Sequence, residues 1–123
     1  MIKVTELAFT GYPVTDLVRA RAFYEGTLGL VPSTTFGEGD KGWIEYDLGA
    51  GTLAITNMSD LWKPSSDGPS VALEVADFDE AIATLKAANV RFMVEPMKGE
   101  PCSLAIITDP DGNGIAIHKR NVA

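Results

Sequence analysis

The chain repeats one motif, and this repeat constrains the fold more than any other feature. Residues 14–23 and residues 75–84 both follow the pattern V-x-D-apolar-x-x-A-x-A. Further along, the LAI of residues 53–55 is echoed by the IAI of residues 115–117. The order of the echoes is the same in both halves. A period of about 60 residues predicts two copies of one supersecondary unit.

Each half predicts the element order β-α-β-β-β. Asp16 and Asp77 lie where helix N-caps belong, because a short carboxylate accepts the free N–H groups of a first helical turn. Gly29 and Asn89 follow the helices and are the residue types that most readily turn left-handed there. Alternating or β-rich segments predict eight strands, at residues 7–14, 30–36, 43–48, 52–57, 71–75, 90–94, 104–108 and 114–119.

The boundaries between the halves follow from composition. Residues 58–69 are rich in Ser, Pro and Asp and predict a linker. We therefore expect one domain over residues 1–123, with a first unit at 1–57 and a second at 70–123. Three glycines within residues 36–42 fit no phosphate-binding spacing and predict a mobile loop.

Charge and cysteine content exclude several classes of function. The formal net charge is −7 and the basic residues are scattered, so neither nucleic acid nor an anionic membrane is an expected partner. The single cysteine, Cys102, excludes an intramolecular disulfide and a four-thiolate zinc site. The N-terminal residues show no apolar signal-peptide core, so we expect a cytoplasmic protein.

With these motifs the chain resembles the vicinal oxygen chelate superfamily, which includes glyoxalase I, bleomycin-resistance proteins, fosfomycin-resistance enzymes and extradiol dioxygenases. The likeness rests on both V-x-D motifs, AFY at 22–24, LGL at 28–30, and DPDGN at 109–113 leading into Ile115. The resemblance implies an α+β fold whose paired βαβββ units form an open, incomplete barrel with helices on the outside. It also implies a concave face that often holds a divalent metal, and a homodimer.

The resemblance places metal ligands at four positions, normally His, Glu, His and Glu. The residues at these positions are Phe9, Ala54, Ser70 and Ala116. Phenyl and methyl groups offer no donor atom to a divalent metal, and one serine hydroxyl is a poor ligand. We therefore expect no metal and no cofactor.

Acid–base chemistry has two candidates in the second half. Strand alternation places His118 on the same face as Ala116, and Glu74 on the same face as Ser70. His118 is the chain's single histidine, the residue type best suited to proton transfer near neutral pH. The plainer alternative is that His118 is solvated at a strand end and that Glu74 faces water or a nearby cation.

Two tryptophans and a glutamate of the first half complete the candidate site. Trp43 and Glu45 share a strand face, and Trp62 lies in the linker. Tryptophan offers a flat surface to aromatic or cationic ligands, although either ring also suits core or interface packing. The expected ligand-binding residues are Phe9, Trp43, Glu45, Ala54, Trp62, Ser70, Glu74, Ala116 and His118.

The leading interpretation is a protein similar to bleomycin-resistance proteins, which binds a small aromatic or cationic molecule in a cavity that lacks the family metal. The alternative is a lyase, an isomerase or a dioxygenase-like enzyme that uses His118 or a glutamate as acid or base, or a metal held by other ligands. A third interpretation is a regulatory or scaffolding protein with a filled cavity. Because one fold hosts many chemistries, the fold does not choose among them. We favour binding over catalysis.

Overall fold

The computed structural model describes residues 1–3, 5–67 and 70–121. These residues form two compact units, Met1–Lys63 and Pro64–Ala123. Of the units expected from the sequence, residue 4 of the first, residues 68–69 of the linker and residues 122–123 of the second lie outside the described residues.

The first unit has the order β-α-β-β-β. The elements are β1 (Thr10–Pro13), α1 (Leu17–Arg21), β2 (Thr34–Glu38), β3 (Lys41–Leu48) and β4 (Gly51–Thr56). A π-helical segment, Ala22–Thr27, extends the helix. The sheet has the strand order β1-β4-β3-β2, in which β1 and β4 are parallel and the other pairs antiparallel.

The second unit repeats this plan. The elements are β5 (Val71–Glu74), α2 (Phe78–Ala87), β6 (Phe92–Lys98), β7 (Cys102–Thr108) and β8 (Gly114–Arg120). The sheet has the order β5-β8-β7-β6, and again only the first of these pairs is parallel. The predicted α+β class with two βαβββ units is confirmed. Among the described residues, no helix has the length and apolarity needed to cross a membrane.

The helix ends are where the sequence predicts them. The side chains of Asp16 and Asp77 each accept a hydrogen bond of 3.0 Å from the backbone N–H three residues further on. Each thereby satisfies a donor that the first turn leaves unpaired. After the helices, Gly29 has a φ of 73° and Asn89 a φ of 58°, both left-handed. These four local predictions are confirmed.

Three predictions in the first half are wrong. The second strand spans Thr34–Glu38 rather than residues 30–36. The first strand begins at Thr10 rather than at residue 7, and Leu7 is exposed. The glycine-rich stretch 36–42 is not a loop, because it holds the end of β2, a two-residue turn and the start of β3. Gly39, with a φ of 62°, supplies the positive dihedral angle that such a tight hairpin turn requires.

The strand β6 is longer than its sequence predicts and also irregular. It runs to Lys98 through Pro96, and its pairing with β7 shifts register twice. Because β6 lies at the edge of its sheet, Pro96 can lack an N–H without breaking an inner ladder.

One face of the first sheet is covered by its own helix. Tyr24 stacks on Tyr46 of β3, with ring centroids 6.2 Å apart. A Cβ atom on Gly42 would lie 2.7 Å from Cδ2 of Leu17, so glycine lets α1 approach β3 closely. Because side chains alternate along a strand, Trp43 and Glu45 point to the opposite face.

The second sheet has a buried apolar face of the same kind. Ala105 pairs with Ile117 and Ile107 with Ile115, and all four are almost completely buried. The helix α2 contacts β8 in this unit. Alternation along β8 then turns Ala116 and His118 to the other face.

Candidate functional site

Strand register brings several predicted site residues of the first unit onto one face of its sheet. Trp43 lies opposite Phe36 of β2, and Glu45 lies opposite Ala54 of β4. Ala54 in turn pairs with Gly11 of β1. Residues paired across neighbouring strands point to the same side. We call this surface, formed by Gly11, Phe36, Trp43, Glu45 and Ala54, the aromatic face.

Three ring systems meet around Trp43. Phe9 stands edge-on to it with centroids 5.0 Å apart and planes at 88°. Phe36 is stacked at 6.2 Å and 20°, and Trp62 is tilted at 6.3 Å and 31°. Edge-to-face and offset arrangements at these separations are attractive. We call Phe9, Phe36, Trp43 and Trp62 the aromatic cluster.

The aromatic cluster is unusually exposed for rings of this size. Phe9 is 46 %, Phe36 56 % and Trp62 39 % exposed, whereas Tyr24 and Tyr46 on the helix-covered face are fully buried. Single exposed apolar side chains are common, but several in mutual contact mark a surface suited to binding.

Glu45 is fixed beside the cluster by Trp43. The indole N–H of Trp43 donates a 2.8 Å hydrogen bond to Oε2 of Glu45. This bond restrains both side chains, which lie two residues apart on the same strand face. Within the described part of the chain, Oε1 of Glu45 accepts no hydrogen bond. The arrangement therefore combines a ring wall with a carboxylate oxygen available to a ligand.

Gly11 provides space on the same face. A Cβ atom at this position would overlap Cη2 of Trp62 and lie 2.7 Å from its Cζ2. The six-membered edge of the Trp62 indole thus rests directly on the backbone of β1. Ala54, beside Gly11, adds a single methyl group.

The second unit brings a different pair together. In the parallel register of β5 and β8, Glu74 lies opposite His118. Nδ1 of His118 and Oε1 of Glu74 are 2.5 Å apart, and the backbone N–H of Arg120 donates a 2.6 Å hydrogen bond to Oε2 of Glu74. The Arg120 N–H first, and then His118, hold the pKa of Glu74 below its ordinary value. Ala116 and Ala72 pair on the same face, and we call Ala72, Glu74, Ala116 and His118 the polar face.

The remaining predicted positions do not fit the metal that the family resemblance implies. Ala54 and Ala116 are buried methyl groups, Ser70 is exposed just before β5, and Phe9 offers only a ring. Among residues 1–3, 5–67 and 70–121, no three His, Cys, Asp or Glu side chains form a group able to hold a metal ion.

Two residues of the aromatic face were missed by sequence reasoning. Phe36 is predicted both to end the second strand and to begin the mobile loop. The dipeptide Gly39-Asp40 is the sequence signal for the hairpin that pairs Phe36 with Trp43. Gly11 carried no signal of its own, because its role depends on where Trp62 packs.

Comparison with known proteins gives consistent results at the level of fold. A model of the glyoxalase/bleomycin resistance protein/dioxygenase superfamily matches residues 6–117. No curated protein matches the sequence. TnmS3, described as an antibiotic binding protein from Streptomyces sp. CB03234, has a similar structure with a TM-score of 0.79 and 21% identity, over 98% of this chain and 99% of that one.

Two further solved structures share the fold. A glyoxalase/bleomycin resistance protein, also from Streptomyces sp. CB03234, has a TM-score of 0.74 and 23% identity, over 91% of this chain and 98% of that one. A glyoxalase/bleomycin resistance protein/dioxygenase from Alicyclobacillus acidocaldarius has a TM-score of 0.70 and 19% identity, over 98% and 95% of the two chains.

Proposed function

Because the chain belongs to the glyoxalase/bleomycin resistance protein/dioxygenase superfamily, we propose that it binds a small, flat molecule, aromatic or cationic, without a metal. The observation that carries this proposal is the exposed aromatic cluster around Trp43 on a sheet face whose other side is buried. The ligand contacts are assigned to Phe9, Phe36 and Trp43 of this cluster, together with Glu45 and Ala54.

The chemistry of the aromatic face favours a flat ligand with a positive group. Ring stacking contributes about 0.5–1.5 kcal/mol for each pair beyond the area buried. A cation near the face of a tryptophan gains about 0.5–2 kcal/mol, depending on its exposure. Glu45 adds a carboxylate beside Trp43, and the net charge of −7 attracts cations to the protein as a whole.

A relative of similar fold supports binding as the function. TnmS3 is described as an antibiotic binding protein. The missing metal donors at Phe9, Ala54, Ser70 and Ala116 support a mode of binding that needs no metal.

A thermal-shift screen in the presence of EDTA tests this proposal. The library pairs planar aromatic cations with neutral molecules of the same shape, because a ligand that binds only the native state raises its melting temperature. We expect hits among the planar members, with quenching of tryptophan emission. Hits that need added metal, or that come only from non-aromatic compounds, would contradict the proposal.

A second candidate function rests on the contact between Glu74 and His118. With Nδ1 directed at the carboxylate, Nε2 of His118 becomes the basic nitrogen and Glu74 a positioning residue. Such a base suits a lyase or isomerase that removes a proton from a substrate carbon and returns it. The test is deuterium exchange at carbon, followed by NMR, for each screening hit in D2O. Exchange that disappears in His118→Gln supports catalysis, and exchange unchanged by that substitution excludes it.

The protein is further proposed to be a cytoplasmic homodimer. β2 and β6 each lie at an edge of their sheet, and an exposed edge strand favours pairing with a second chain. Light scattering after gel filtration should give twice the chain mass of 13.1 kDa. A single-chain mass at micromolar concentration would contradict the dimer.

A further inference from the structure

The two tryptophans of the aromatic cluster are held in different ways. Trp43 belongs to an inner strand, and its N–H is bonded to Glu45. Trp62 lies outside any strand or helix, after Leu61, which is almost fully exposed. Within the described part of the chain, the indole N–H of Trp62 donates no hydrogen bond. Trp43 is therefore a fixed wall, whereas apolar contacts hold Trp62 in place.

The indole of Trp62 fills a defined space on the aromatic face, between Gly11 and Trp43. Its six-membered edge rests over Gly11, at a distance that any Cβ atom there would forbid. Its ring is tilted by 31° from that of Trp43, with centroids 6.3 Å apart. This place therefore accepts a flat, fused two-ring system that lies against β1 with one edge on the backbone.

The carboxylate of Glu45 marks the other end of this place. Gly11, Ala54 and Glu45 form one row across three neighbouring strands. Two strand spacings put the backbone of Glu45 roughly 10 Å from that of Gly11. A fused ring over Gly11 with a short chain can thus bring a positive group to Glu45.

We propose that Trp62 occupies the ligand's own place, and that the ligand is a fused two-ring aromatic cation that displaces it. This inference rests on the proposed function and specifies the ligand class and the movement that binding requires. A ligand that competes with an internal occupant binds with an affinity reduced by the fraction of molecules whose site is free. Removing Trp62 must therefore tighten binding, whereas removing a ring on which the ligand stacks must weaken it.

The experiment is calorimetric titration with tryptamine in EDTA, since this compound combines an indole with a short cationic chain. Phenethylamine, with one ring, is the control compound. We expect Trp62→Ala to lower the Kd for tryptamine by about threefold or more, with a smaller change for phenethylamine. A Kd that rises in Trp62→Ala would show that the ligand stacks on Trp62, and would overturn the inference while leaving the proposed function intact.

Gly11→Ala provides the opposite test in the same titration. Its Cβ atom fills the place over β1, so it should expel the Trp62 indole and also raise the Kd for tryptamine. An unchanged Kd in this variant would overturn the inference. Absence of tryptamine binding in both the native chain and Trp62→Ala would overturn the ligand class, while the wider library separately tests the proposed function.

A spectroscopic readout keeps the test valid if a variant folds poorly. The native chain labelled with 5-fluorotryptophan gives two resonances, assigned with Trp62→Phe. Saturating tryptamine should move the Trp62 resonance towards its solvent-exposed position, because the ligand replaces that ring. A Trp62 resonance whose chemical shift is unchanged, or moves away from the solvent-exposed value, would overturn the displacement.

Discussion

In the first unit, the sheet face opposite α1 carries ring systems, with Trp43 in contact with Phe9, Phe36 and Trp62. In the second unit, the corresponding sheet face carries Glu74 of β5, bonded to His118 of β8 and to the backbone of Arg120. The strand order and pairing directions are the same in both. The buried faces therefore maintain the same backbone fold in both units. The opposite faces, the aromatic face and the polar face, differ in chemistry.

Several buried residues are repeated between the two units, whereas the aromatic and charged residues of the opposite faces are not. Ile55 of β4 and Ile117 of β8 hold equivalent places in the repeat, and both are buried. Glu45 and Trp43 on β3 have no counterpart among Leu104 and Ile106 of β7, which pair with the polar face. The repeat therefore predicts which residues build the fold, and departures from it indicate where function lies.

The largest expected effect tests the equivalence of the two buried faces. Ile55→Ala and Ile117→Ala should each lower the free energy of unfolding by about 3 kcal/mol, because each removes a buried side chain from a packed sheet face. Urea unfolding followed by circular dichroism measures both changes. A cost below about 1 kcal/mol in only one variant would break the equivalence.

The next effect tests whether the aromatic face is the binding surface. Trp43→Ala should weaken a planar ligand from the screen at least about tenfold, because Trp43 is the ring that the other three contact. Trp43→Phe is the matched control, since it keeps a ring but loses the N–H to Glu45, and should stay within about threefold. Equal affinity in Trp43→Ala and the native chain would place the ligand elsewhere.

A smaller effect tests the role of Glu45. Glu45→Gln keeps an oxygen for the Trp43 N–H but removes the charge, so it should weaken a cationic ligand by about threefold and a neutral analogue of the same shape hardly at all. Glu95→Gln, which removes a carboxylate paired with Lys86, controls for net charge. If both variants lower the affinity for the cationic ligand equally, the effect comes from overall charge alone.

The smallest expected effect is the pH dependence of the stability that Glu74 of the polar face contributes. The pKa of Glu74 is lowered by the folded state, so its carboxylate stabilises the fold above the ordinary carboxyl range near about pH 4.3. This contribution is lost as the pH falls through the folded-state pKa. Glu74→Gln should therefore have a lower melting temperature than the native chain at pH 6. The difference between the two melting temperatures should shrink as the pH falls.

His118→Gln sharpens that prediction, since it leaves the hydrogen bond from the Arg120 backbone in place. Its melting temperature at pH 6 should lie between those of the native chain and Glu74→Gln. A gap for Glu74→Gln that widens in acid would contradict the direction of the pKa shift.

The repeat, the element order and the helix caps were predictable because they depend on local signals. Asp16 and Asp77 cap helices through bonds to residues three positions away, and Asn89 turns left-handed by its own chemistry. The misread hairpin shows the limit of such reasoning. Its glycines are compatible with both a loop and a tight turn, and the pairing of β2 with β3 in the structure decides for the turn.

The candidate site was less predictable because it depends on register and tertiary packing. Side-chain alternation along each strand predicts the sheet face on which Glu74 and His118 lie. It does not predict their contact, which joins residues 44 positions apart through the parallel pairing of β5 and β8. The position of Trp62 over Gly11 follows from no pattern in the sequence. Long-range contacts of this kind require the folded backbone.

NMR mapping of a saturating planar ligand in EDTA tests the central claim most directly. If the aromatic face binds the ligand without metal, the largest amide shifts should fall on β2, β3 and β1 of the first unit, and the indole N–H of Trp43 should shift with them. Shifts that leave Trp43 and these strands unaffected, or that appear only when EDTA is left out, would contradict the account.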